Sequence, residues 1–185
     1  MMLEGGKLAI TDNFMEPEPF EAASEFITKQ CTYGLIKSSN WTGADYWHPS
    51  DGNVMKSSPW STARGDLPPS IDYVVQSILG RRFFKPDLYS ATVSAFAYPA
   101  GACFHWHDDG NAQWAFIYYV SKWELDWGGE LLIQERNGLG TYIAPLCNRL
   151  VVISRGIRHK IAPVDFRAGA NIRFSIAGFI TERKK

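Results

Sequence analysis

The chain has only three cysteines and four histidines in 185 residues. Cys31, Cys103 and Cys147 are odd in number and widely spaced, and no C-x-x-C pair occurs. That argues against a disulfide framework and against a cysteine-rich zinc site, and free thiols in a reducing cytoplasm are expected. There is no charge excess either, with 19 basic against 19 acidic residues. A neutral chain projects no long-range field toward nucleic acid or an anionic membrane, so neither is an expected partner. Apolar runs such as Trp114–Val120 fall far short of the ~20 residues a membrane helix needs. Met1–Ala9 carries Glu4 and no long apolar core, so it does not read as a signal peptide. No repeat, low-complexity tract or linker interrupts the sequence. What is present is a single domain's length of chain, 45% hydrophobic and 14% aromatic with seven tryptophans, which suits a packed β structure.

Lys7–Ile10 reads as a short strand and Thr32–Ile36 as another. Between them Phe20, Ala23, Phe26 and Ile27 fall at helical spacing from Pro17 onward, with Glu16 and Glu18 near the start where the helix dipole favours them. Trp41–Leu67 breaks the pattern and reads as a long loop, either a lid over a site or a surface segment anchored by aromatics. Pro68-Pro69-Ser70 opens a second helix, with Ile71, Val74, Val75 and Ile78 on one face and Gly80 as its stop. After Pro86 the chain turns strand-like, in segments 88–97, 103–109, 113–121, 130–134, 149–154, 158–164 and 171–180. Two helices followed by about seven strands predict a mainly β jelly-roll with flanking helices, 1–87 preceding a β core at 88–180.

His105, His107, Asp108 and Asp109 fall within five residues between strand-like runs. Side chains two apart on a strand share a face, which places His107 beside Asp109 and turns His105 inward with them. One imidazole and one carboxylate make two thirds of a facial non-haem iron site, which needs one further histidine. His159 is the only histidine beyond this segment. In 171–180, alternation sets Asn171, Arg173 and Ser175 on one face and Ile172, Phe174 and Ile176 on the other. A guanidinium inside a barrel requires an anion, and a carboxylate held by its fork, or an acidic side chain of the protein, would satisfy it.

Together these residues resemble the 2-oxoglutarate- and iron(II)-dependent oxygenases, nearest in look to the prolyl-hydroxylase-like branch. The matching segments are Tyr98-x-x-Gly101, His107-x-Asp109, Phe116-Ile-Tyr-Tyr119, Trp123 to Trp127-Gly-Gly-Glu-Leu131, His159, and Arg173-x-Ser175-Ile-x-Gly178-Phe179. The resemblance implies a double-stranded β-helix, a cupin-like barrel, in which His107, Asp109 and His159 bind Fe(II). It further implies that Arg173, helped by Tyr119, Tyr98 and Ser175, binds 2-oxoglutarate. Phe179 stands where relatives often carry tryptophan beside the substrate, and His105 is a second candidate for substrate contact. Gly128 and Gly129 are read as structural. The interval from His159 to Arg173 is longer than usual in that branch, and a longer turn at Asp165–Ala170 would absorb it. The implied reaction consumes O2, releases succinate and CO2, and hydroxylates a C–H bond of a prolyl or other amino-acid residue, peptide-borne or free, or of a small natural product. Asp109 argues against the halogenating relatives. The second arginine typical of nucleic-acid demethylating relatives is missing.

Two other readings keep the barrel. A cupin-type metalloenzyme would use His105, His107 and His159, but Asn111–Trp114 lacks the glutamate expected after H-x-H. A non-catalytic module would present the Trp41–Leu67 loop to a partner. Oligomeric state is not legible.

Overall fold

The structure, a computed structural model, describes residues 8–34, 41–43, 54–81, 84, 87–110, 112–134 and 140–183. The larger sheet holds β1 (Leu8–Thr11), β2 (Trp41–Gly43), β3 (Met55–Ser57), β4 (Trp60–Ser61), β5 (Tyr89–Tyr98), β7 (Trp114–Tyr119), β10 (Arg149–Ser154) and β12 (Arg173–Glu182). Its order is β1-β10-β7-β12-β5-β3-β2, with β4 also pairing β5. The smaller sheet runs β6 (Phe104–His107), β11 (His159–Ile161), β8 (Leu131–Gln134) and β9 (Gly140–Ile143), and every pairing in both sheets is antiparallel. Among the described residues the architecture is therefore mainly β with two α-helices, a jelly-roll of two facing sheets.

Alternation along the strands builds two cores. Val93, Ala95, Phe116, Tyr118, Phe174, Ile176 and Ile180 face outward and are covered by Ala23 and Ile27 of α1 (Pro17–Gly34) and Ile71, Val74, Val75 and Ile78 of α2 (Pro69–Leu79). The opposite faces meet between the sheets, where Tyr98, Ile117, Tyr119, Leu131, Ile133, Val151 and Ile161 are buried. No helix among the described residues is long and apolar enough to cross a membrane.

The expected elements return with three corrections. Thr32–Gly34 continues α1 instead of opening a strand, and residues 35 and 36 lie outside the described residues. Strand preference for Thr and Tyr is a weak prior that an ongoing helix overrides. The Trp41–Leu67 segment carries β2, β3 and β4, each only two or three residues long, too short for alternation to show. They hold their places by pairing with one another or with distant β5, while residues 44–53 of that segment lie outside the described residues. β9 is not legible from the sequence for a similar reason, being four residues opened by Gly140.

β12 and β5 approach closely because Gly178 has no side chain. A Cβ there would stand 2.3 Å from the Thr92 carbonyl oxygen and 3.0 Å from Val93 Cα, both backbone atoms of the paired strand. Backbone in mid-sheet has no room to yield, so Gly178→Ala is expected to cost about 2–4 kcal/mol. Urea unfolding measures this, and a wild-type midpoint would contradict the account.

Candidate active site

The smaller sheet brings the H-x-D segment and the distant histidine together. His159 opens β11 at the centre of that sheet, paired with His107 on one side and Ile133 on the other. The Nε2 atoms of His107 and His159 lie 3.5 and 3.4 Å from the two Asp109 carboxylate oxygens, and the imidazole centroids are 4.3 Å apart. One ligand atom from each residue falls within 4.8 Å of the others. Atoms held about 2.1 Å from one ion at right angles stand roughly 3 Å apart, so a small adjustment closes the set around a metal.

The orientation is fixed from behind. His107 Nδ1 donates to the His105 carbonyl at 2.7 Å and His159 Nδ1 to the Ile157 carbonyl at 2.9 Å. Because a carbonyl only accepts, each ring carries its proton on Nδ1 and presents the Nε2 lone pair to the cluster. Burial pushes the His159 imidazole below its ordinary value, while the Asp109 carboxylate pulls the other way. The neutral ring this favours is the form that ligates a metal.

Strand alternation does not produce this convergence. β6 ends at His107, and Asp109 sits in the left-handed region (φ 58°) of a turn in which Asp108 Oδ1 accepts from the Gly110 amide. It is this turn that swings the carboxylate back over the imidazole. β6 is also irregular: the four residues Phe104 to His107 stand opposite only three, Ile161 to His159, on β11. The extra residue shifts the alternation, so Phe104 and His107 both line the cavity between the sheets. His105, expected to share the inward face, is instead exposed, and its contribution to the site is its carbonyl. The cupin-type ligand set thereby loses its first member.

That cavity, of about 270 Å³, has Arg173, Tyr98 and Ser175 in its lining along with the three metal-type ligands. Arg173 is 1% exposed, and none of its three guanidinium nitrogens has a hydrogen-bond partner among the described residues. The Tyr119 hydroxyl, also buried, likewise has none among the described residues. The Arg173 side chain lies over the Tyr98 ring at 4.0 Å and the Tyr119 ring at 5.3 Å, contacts that hold the cation in place without neutralising it. Burial raises the Tyr119 phenol above its ordinary value, opposed by the nearby Arg173 charge, so it stays a neutral donor. Four orphaned buried donor atoms around one point fit a carboxylate. Ser175 lies between Tyr119 and Phe96 in the sheet register, one step along the same face from Arg173.

Two other expectations are met. The long interval before Arg173 is absorbed by a short 3-10 turn at Phe166–Ala168, capped by Asp165 accepting from the Arg167 amide. Gly129, with φ 71°, leaves room for the Arg173 stem: a Cβ there would lie 3.0 Å from Arg173 Cδ and 3.2 Å from Val164 Cγ2. Phe179 lines the cavity and is 38% exposed. Lys56 of β3, inside the supposed loop, also lines it, as do Thr92, Ser94 and Phe96 of β5. The β5 residues had a legible signal, since Thr92, Ser94, Phe96 and Tyr98 alternate with the small apolar Ala91, Val93, Ala95 and Ala97. Lys56 had none.

Residues 93–181 match the sequence model of the 2OG-Fe(II) oxygenase superfamily. No curated protein matches the chain significantly. Among solved structures, a prolyl-4-hydroxylase of Pseudomonas putida superposes with a TM-score of 0.71 at 16% identity, covering 96% of this chain and 94% of that one. A prolyl hydroxylase of Trichoplax adhaerens, in complex with a hypoxia inducible factor oxygen degradation domain peptide fragment, gives 0.68 at 17% identity, covering 97% and 86%. The viral collagen prolyl hydroxylase of Paramecium Bursaria Chlorella virus-1, as a 2OG complex, gives 0.63 at 15% identity, covering 96% and 97%. At these identities the likeness is one of fold. The strand-rich stretch 93–181 thus matches a superfamily of enzymes that use Fe(II), 2-oxoglutarate and O2.

A buried cation without an acceptor destabilises the ligand-free fold. Arg173→Met is therefore expected to leave the stability of metal- and co-substrate-free protein unchanged, or to raise it by about 1–3 kcal/mol. Added 2-oxoglutarate should stabilise only the wild type. A clear loss of stability in the ligand-free variant would mean that Arg173 has a protein partner after all.

Proposed function

We propose that this chain is a 2-oxoglutarate-dependent dioxygenase. It hydroxylates an unactivated C–H bond of an amino-acid or prolyl residue, peptide-borne or free, or of a small natural product, and releases succinate and CO2. The observation that carries this reading is the buried Arg173 guanidinium, without an acceptor among the described residues, sharing one cavity with His107, Asp109 and His159.

In this reading the Nε2 atoms of His107 and His159 and the Asp109 carboxylate hold Fe(II) on one face. Arg173 receives the far carboxylate of 2-oxoglutarate in its fork, with Tyr119 donating its hydroxyl and Ser175 lying alongside. Tyr98 stacks against the guanidinium and fixes its plane. The bound metal, with 2-oxoglutarate and O2, supplies the oxidising power that turns C–H into C–OH as the co-substrate loses CO2. The protein's own share is orientation and the exclusion of water. Phe96, Phe104 and Ile117 line the cavity with apolar surface, and Phe179 borders it as the residue nearest the substrate. Cys103 and Cys147, in no disulfide among the described residues, suit a reducing cytoplasm, where ferrous iron persists.

Formation of succinate from 2-oxoglutarate tests the assignment. His107→Ala, Asp109→Ala and His159→Ala are each expected to abolish iron-dependent turnover. Arg173→Met should raise the KM for 2-oxoglutarate by roughly a hundredfold or more while leaving Fe(II) affinity near wild type. Turnover that survives loss of His159, or is indifferent to Arg173, would contradict it.

A further inference from the structure

Both helices pack on the larger sheet, and the outer face of the smaller sheet stays open: Arg158 is exposed and Tyr142 is 56% exposed. The alternation that turns His159 and Ile161 inward turns Lys160 outward, and buried Leu131 and Ile133 likewise leave Leu132 on the outside. The register sets Lys160 beside Leu132 and Leu132 beside Tyr142. Trp106, on the edge strand β6, lies at the other side of Lys160. Lys160 Nζ is 5.3 Å from the centre of its ring and the Arg158 guanidinium carbon 5.9 Å. These are outward residues of the two paired strands that carry His107 and His159, so the face stands back to back with the candidate active site.

Arg158 and Lys160 bring two positive charges to one indole ring, and among the described residues neither has a carboxylate partner. The ring attracts each cation and neutralises neither, and the two like charges repel, so an anion arriving between them gains from both. The acids of this region lie toward its other end. There the Tyr142 phenol is raised first by partial burial and then by the charges of Glu130 and Asp126. The face is thus cationic and aromatic at β6, apolar at Leu132 and acidic near Tyr142. A nucleic-acid backbone crossing it would be repelled at the acidic end, and a chain of zero net charge has no wider basic field to offset that. A short acidic segment of polypeptide meets no such conflict. Its carboxylates take the cations, and its apolar side chains take Trp106, Leu132 and Tyr142.

We propose that the outer face of β6 and β11 is a docking surface for an acidic segment of a polypeptide partner. Arg158 and Lys160 hold its carboxylates beside the Trp106 ring, and Leu132 and Tyr142 receive the apolar side chains that flank them. The surface is separate from the cavity and needs neither metal nor co-substrate.

The test is fluorescence anisotropy on the full-length protein without metal, so its outcome is independent of the oxygenase reading. The probes are a dye-labelled decapeptide of glutamate and leucine, the same peptide with lysine in place of glutamate, and a labelled oligothymidylate. The acidic peptide is expected to bind saturably, and more weakly by roughly threefold or more as salt is raised to physiological strength. Reversing both charges, Arg158→Glu with Lys160→Glu, should weaken it by about tenfold or more, since exposed ion pairs contribute little one at a time. The neutral pair Arg158→Gln with Lys160→Gln, which disturbs the surface least, should weaken it several-fold. Arg158→Lys with Lys160→Arg should stay close to wild type. An acidic peptide that does not saturate, that is indifferent to salt or to the neutral pair, or that is matched by the lysine peptide would overturn the proposal. Oligothymidylate that binds more tightly than the acidic peptide, and is lost with the same two residues, would mark a nucleic-acid surface and overturn it as well.

Discussion

The guanidinium of Arg173 is enclosed between two tyrosine rings, 1% exposed and without an acceptor among the described residues, and much of the architecture exists to keep it there. β12 carries it at the centre of the larger sheet, paired with β5 on one side and β7 on the other, so its backbone has no freedom to retreat. Tyr98 arrives from β5 opposite Arg173, and Tyr119 from β7 opposite Ser175. The glycine pair before β8 bends at positive φ, and the bare Gly129 gives the arginine stem its passage. A charge held this way is a standing cost to the fold, repaid only when an anion arrives. That suits the site to an anion before any metal chemistry is considered.

The opposite wall is built on a different principle. The smaller sheet supplies its two histidines from paired positions on adjacent strands, and backbone carbonyls fix which ring nitrogen faces inward. The third group comes from a turn, where Asp109 adopts a left-handed conformation that brings its carboxylate between the two rings. Rigid strands thus set the histidines and a tight turn sets the carboxylate. The cavity between the sheets then has a cation at one end and a ligand cluster on the wall. An α-keto acid anchored by one carboxylate and chelated at its other end fits that arrangement.

Much of this was legible in the sequence, for identifiable reasons. Strict alternation in 171–180 placed Arg173 and Ser175 on the inner face, and the scarcity of histidine singled out His159. Helical spacing marks α1 and α2, although the Thr and Tyr at the end of α1 carry a strand preference that the helix overrides. Two features were hidden. The bulge in β6 shifts the alternation between Phe104 and His107, which is why His105 was expected inside and lies outside. A bulge depends on pairing with β11, fifty residues away, and leaves no local mark. Lys56 was hidden because β3 is three residues long and owes its place to β5 rather than to its own pattern.

The central claim is that one cavity binds a metal at His107, Asp109 and His159 and a dicarboxylate at Arg173. Anaerobic titration of Fe(II)-loaded protein with 2-oxoglutarate tests it most directly, through the weak visible absorption of the chelated co-substrate. The account predicts a saturable band in wild type, no band in His159→Ala, and in Arg173→Met the same band only at far higher 2-oxoglutarate. An iron-loaded wild type that develops no band would contradict it.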